Sequence, residues 1–139
     1  MITLSILKAL ENDDFGTIDT DLFIEEVPLD NKGVPKQGLW IVTRGSSVSR
    51  VNTEIQAFDI YSRYNNKLTG HTKLAELLQW LQEGYSGVCT LPSVPPYTAQ
   101  EYKNVRIYPT SGIETVGTDE NGKVVRVISG EVYFNKENN

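Results

Sequence analysis

The chain has 139 residues, of which 39% are apolar and 22% charged, and its formal net charge is −5. That length and balance suit one globular domain with an ordinary core, and the negative charge argues against nucleic acid as a default partner. One cysteine, Cys89, excludes an internal disulfide framework. No apolar run approaches the ~20 residues that span a bilayer, and the first residues, Met-Ile-Thr-Leu-Ser-Ile-Leu-Lys, lack the basic leader and cleavage site of a signal peptide. A reducing, cytoplasm-like compartment is therefore expected.

In chain order, Ile2, Ile6, Leu7 and Leu10 recur at helical spacing and predict a helix over 3–12, with Thr3 or Ser5 as its cap. Leu22, Phe23, Ile24 and Val27 predict a strand over 21–27, and Leu39 to Val42 starts a second. These two are expected to form a hairpin across the polar connection 28–38. Arg44-Gly45-Ser46-Ser47 is expected to leave the sheet. The longest strand follows at 53–64, with Phe58, Ile60 and Tyr64 on one face and Ile55, Ala57 and Tyr61 on the other, as in a central strand.

Leu74, Leu77, Leu78 and Leu81 form an i, i+3, i+4, i+7 stripe that predicts a helix over 69–83, flanked by Trp80 and closed by Gly84. A short strand at 86–91 carries Cys89, read as a buried, inert thiol. The prolines of Pro92-Ser93-Val94-Pro95-Pro96-Tyr97 predict an extended segment, a crossover or an arm. Strands are expected at 104–109, 113–118 and 123–129, the last two joined through Asp119-Glu120-Asn121-Gly122, where Asn-Gly signals a hairpin. Gly130 suggests a bulge, Val132 and Phe134 continue the strand, and 135–139 is expected to be a flexible tail on a single domain spanning 1–134. The fold class is α+β: a mixed, mostly antiparallel sheet packed against two helices in the order α-β-β-β-α-β-β-β-β.

Motifs for chemistry are sparse. His71 and Cys89 are single representatives of their types, too few for a zinc site, and nothing around Cys89 predicts the positive environment of a nucleophilic thiol. Gly117 to Lys123 has the glycine–lysine spacing of a phosphate loop, but Val124 follows it and two loop residues are acidic. The carboxylates at Asp13-Asp14, Asp19/Asp21 and Glu25-Glu26 lack EF-hand spacing. No cofactor and no metal is expected, and no catalytic residue stands out. Arg44, Arg50, Arg63 and Lys67 read as scattered solvated charge. Asp59 and Arg63 share a strand face four residues apart, too far to pair with each other, and each is expected to meet another strand or another subunit.

The blocks Gly38-Leu39-Trp40-Ile41-Val42-Thr43-Arg44-Gly45, Ile55-Gln56-Ala57-Phe58-Asp59-Ile60-Tyr61-Ser62-Arg63 and Lys73-Leu74-Ala75-Glu76-Leu77-Leu78-Gln79-Trp80-Leu81 resemble tail-terminator proteins of long-tailed bacteriophages. They are especially similar to the group known as minor capsid proteins of phages infecting Gram-positive bacteria. The resemblance covers residues 1–90; the last third matches only in being strand-rich. It implies a virion subunit at the head-proximal end of the tail, assembled in the host cytoplasm. Such proteins form a hexameric ring that caps the tail tube, ends its polymerisation and offers a surface to the head-completion protein. The implied partners are further copies of the chain, the tail tube protein and the head-completion protein, with DNA only as passing cargo and no membrane. An acidic ring is expected to let DNA pass without sticking. Trp40, Arg44, Arg50, Asp59, Arg63 and Tyr97 are the expected subunit-interface residues. The competing readings are a monomeric binding or adaptor domain, and another tail-completion or tail-tube subunit.

Overall fold

A computed structural model describes residues 2–50, 53–84, 89–97 and 101–135, and the side chains of 48–50 and 84 lie outside the description. The described elements run α1 (Ile2–Asn12), β1 (Leu22–Ile24), β2 (Gly38–Arg50), β3 (Thr53–Tyr64), α2 (Lys67–Gly84), β4 (Cys89–Leu91), β5 (Tyr102–Pro109), β6 (Glu114–Thr118) and β7 (Val124–Asn135). The element order is the expected one, and the fold is a single α+β domain. The strands form one curled sheet in the order β1-β2-β3-β7-β5-β4, with β6 also on β7. Among the described strands, β1 and β2 pair parallel and the remaining strand pairs are antiparallel.

Helix α1 buries nearly its whole circumference, so its core role extends beyond the four residues of the apolar stripe. Thr3 and Ser5 do not cap it. Both lie inside the helix and are fully buried, and the Thr3 hydroxyl hydrogen-bonds the Thr43 hydroxyl at 2.8 Å. The helix ends on Asp14, which takes a left-handed φ of 65°. The Phe15 N–H reaches back to Leu10 O at 3.0 Å and the Asp14 N–H to Glu11 O at 3.2 Å. These are the two bonds that satisfy the last carbonyls of a helix.

The expected hairpin of β1 and β2 is instead a parallel pair, Leu22↔Leu39 to Ile24↔Ile41. The connection is the reason. After β1 the chain turns at Glu25 (φ 65°) and makes its own small excursion, in which Leu29 bridges Pro35 around the Asp30 turn. It then returns to the start of β1 rather than its end. Gly38, at φ 152°, passes against the Asp21 carbonyl, to which the Leu39 N–H donates at 2.9 Å. A side chain at Gly38 would collide there.

Nor does Arg44-Gly45-Ser46-Ser47 leave the sheet. Thr43 pairs with Phe58 and Ser46 with Gln56, so Arg44 and Gly45 together oppose Ala57 in a bulge, and β2 continues to Arg50. The Gln56 amide holds the bulge by donating to Arg44 O and, at 2.9 Å, to Ala57 O. Strand β3 has the predicted bounds and is central, paired along its length with β2 and β7.

Helix α2 starts two residues before its predicted first turn, because the Asn66 side chain caps it by accepting the Leu68 N–H at 2.8 Å. Leu74, Leu77 and Leu81 are fully buried against the sheet, which is worth about 1.5–3 kcal/mol per side chain. Trp80 does flank the stripe: its ring meets Phe15 edge-on at 5.7 Å and its indole N–H donates to Asp13. The proline segment is a turn rather than an extended arm: the Tyr97 N–H closes onto Val94 O at 2.9 Å, and the Pro95–Pro96 peptide is cis.

The Asp119–Gly122 hairpin is present, but only Gly122 takes positive φ, at 78°. The Asp119 carboxylate supplies the rest, accepting the Asn121 and Lys123 N–H groups at 2.9 and 3.0 Å. Gly130 marks no bulge, for β7 keeps its register with β3 throughout. What excludes a side chain there is space: an added Cβ would lie 2.7 Å from Phe58 Cζ and 3.0 Å from Tyr108 O. Asn135 still pairs with Thr53, so the ordered strand runs one residue into the expected tail, and 136–139 lie outside the described residues.

Candidate functional site

Side chains alternate across a strand, so the sheet has two unlike faces. Phe58, Ile60, Ile128 and Val132 point to the helix side and are buried. The opposite alternation leaves Trp40, Asp59, Tyr61 and Arg63 half-buried on a face that neither described helix covers. Four of the six expected interface residues, Trp40, Arg44, Asp59 and Arg63, lie together here. Of the other two, only Tyr97 can be placed, and it does not join them. Tyr97, 71% exposed, sits on the β4–β5 connection at the far side of the sheet, and the side chain of Arg50 lies outside the description.

Asp59 and Arg63 each meet another strand, as their spacing suggested. The bulge in β2 aims Arg44 back over the sheet, where its Nε lies 3.0 Å from Asp59 Oδ1. The Ser129 hydroxyl donates to the same oxygen at 2.6 Å. Arg63 is held from two sides: its guanidinium lies 4.9 Å from the centre of the Trp40 ring, and its Nε lies 3.2 Å from Asp119 Oδ2. The latter contact is coulombic, since neither atom has a hydrogen-bonded partner. Tyr61 stacks on the other aromatic neighbour, Trp40, at 5.0 Å and 12°. These groups are therefore neutralised within the chain. They present a polar–aromatic surface whose side chains are held by one another, with few loose charges, the kind that buries at low entropic cost.

A second region of this face went unread in the sequence. Arg106, Tyr108 and Tyr133 line a cavity of about 700 Å³ with Thr53, Asn104 and Phe134. Tyr108 and Tyr133 meet edge-on at 5.3 Å. The i, i+2 spacing of Arg106 and Tyr108 on a predicted strand was its one sequence signal.

Other candidate chemistry is quiet. His71 is exposed on α2. Cys89 is half-buried rather than fully buried; its Sγ donates to Val105 O at 3.2 Å, and burial pushes its thiol up to about 11, away from thiolate reactivity. Among the described residues no group of three His, Cys, Asp or Glu side chains is arranged to hold a metal, and no helix is long and apolar enough to cross a membrane. Comparison of the sequence with family models and with curated proteins gives no match.

Proposed function

We propose that this chain is a structural subunit of a phage tail that closes into a ring on the end of the tail tube, halts tube growth and presents a joining surface to the head-completion protein. The observation that carries the reading is the uncovered sheet face with its Trp40–Tyr61–Arg63 surface, set in the sequence blocks that resemble tail terminators. The sheet's two ends support it too. Strand β1 closes one end and β4 the other, each three residues long, and they differ in sequence and surroundings. A closed ring of identical subunits requires two unlike patches on each copy, because the contact is head-to-tail. The charge of −5 is compatible with DNA moving through such a ring as cargo.

The test is polymerisation arrest. Tail tube protein of the same virus, assembled with increasing amounts of this chain, is expected to give shorter tubes with density at one end. Tubes of unchanged length with bare ends count against the reading and favour a monomeric adaptor. Filaments formed by this chain alone favour a tube subunit.

A further inference from the structure

We infer that the Arg106–Tyr108–Tyr133 cavity receives the acidic 14–26 segment of a second copy of the chain and so forms the head-to-tail contact of the assembly. This rests on the ring reading above.

The cavity's chemistry selects the ligand. Arg106 and Tyr108 project from the same side of β5, and Arg106 is in register with Tyr133 on β7. Arg106 is exposed and makes no ion pair among the described residues. Glu131, on the same face across from Tyr108, forms no ion pair with Arg106. Phe134, 6% exposed, also lines the cavity. The cavity lining beside this cation offers two phenol hydroxyls, the Asn104 amide and the Thr53 hydroxyl, all able to donate, and no carboxylate is among the lining residues. Such a lining recognises a carboxylate carried on a peptide: the guanidinium pairs with the charge and the rings cover the stem.

The chain itself carries that ligand. Residues 1–30 hold eight of the 18 carboxylates and, as cations, only Lys8, a net −7; the rest of the chain, with ten carboxylates and 12 of the 13 Lys and Arg, carries +2. Within this segment Glu11, Asp13, Asp21, Glu25 and Asp30 accept hydrogen bonds inside the subunit. Asp14, Asp19 and Glu26 are exposed and form no ion pair among the described residues. The acidic segment flanks β1, at one end of the sheet, and the cavity lies on β5 and β7, toward the other. Copies joined this way leave one unused donor and one unused acceptor at every step, so association continues until the ring closes.

Two variants isolate the contact. Arg106→Ala removes the cation; the triple change Asp14→Asn, Asp19→Asn, Glu26→Gln neutralises the segment and keeps its shape. All four sites are exposed, so both proteins are expected to melt like the wild type. In sedimentation equilibrium at low salt, each variant alone is expected to self-associate at least ~tenfold more weakly than wild type. Their equimolar mixture is expected to form a 1:1 dimer and nothing larger, since each variant keeps one intact side. Wild type and R106A associating equally overturns this contact while leaving the ring reading standing. A wild type that stays monomeric, with a mixture that forms no dimer, likewise overturns this contact, and tube arrest then decides the ring reading separately.

Discussion

Phe58 and Gly130 show how a single missing methyl group sets the sheet's packing. They face each other across β3 and β7, and the Phe58 ring occupies the space a Cβ at Gly130 would need. Phe58 is fully buried and the other near atom is the backbone carbonyl of Tyr108, so neither neighbour has room to give. Gly130→Ala is expected to cost about 1–3 kcal/mol in urea unfolding, as overpacking does. Adding Phe58→Leu is expected to recover part of that loss in a double-mutant cycle. Strictly additive losses would contradict the packing argument. Two titrating groups speak to the same core. Burial raises the Cys89 thiol from 9.0 to about 11, and burial with help from Asp21 raises Tyr64 from 10.0 to about 12. In both cases the fold favours the neutral form. Their contribution is therefore complete below the unfolded values and is lost as pH climbs through the folded ones. Stability is expected to fall between pH 9 and 12, and Tyr64→Phe to flatten the upper part of that fall. A variant whose urea midpoints drop as steeply as wild type across that range would contradict it.

At the level of elements, one carboxylate joins a turn to the open face. Asp119 ties the β6–β7 hairpin through Asn121 and Lys123 and also neutralises Arg63. Asp119→Ala is expected to cost about 0.5–2 kcal/mol, mostly from the lost side-chain acceptor for the turn's backbone N–H groups. Asp119→Asn keeps an acceptor and is expected to recover all but the ion-pair part, at most about 1 kcal/mol; equal losses for the two variants would place the energy in the Arg63 pair instead. This hairpin was legible in the sequence because Asn121-Gly122 between alternating runs has one local meaning, and β3 and α2 were legible because their periods are long and regular. What periodicity does not encode is which strand lies beside which. The parallel pairing of β1 depends on the excursion around Asp30, and the bulge at Arg44–Gly45 on a register set by its partner strand. The site divides the same way. Asp59 and Arg63 stood out as charges on one face of a strong strand pattern, and Trp40 through the block that resembles tail terminators. The cavity escaped notice because it depends on β5 meeting β7 at Arg106↔Tyr133.

Across the whole molecule, the described helices take one face of the sheet and leave the other uncovered. The covered face accounts for the core, with Leu74, Leu77, Leu81, Phe58 and Ile60 fully or almost fully buried. The open face spends its polar groups on internal pairs at Asp59 and Arg63 and leaves Arg106 unpaired among the described residues. Charge is divided unevenly along the chain, −7 on residues 1–30 against +2 on the rest. A subunit built like this has an acidic side and a cation-bearing side, which suits a repeating contact better than a two-fold one. The central claim is that copies of this chain close into a ring on a tube end. End-on electron micrographs of tail tubes incubated with the chain test it most directly. The account predicts a closed ring of six copies at one end of each tube; tube ends carrying single copies, or none, would contradict it.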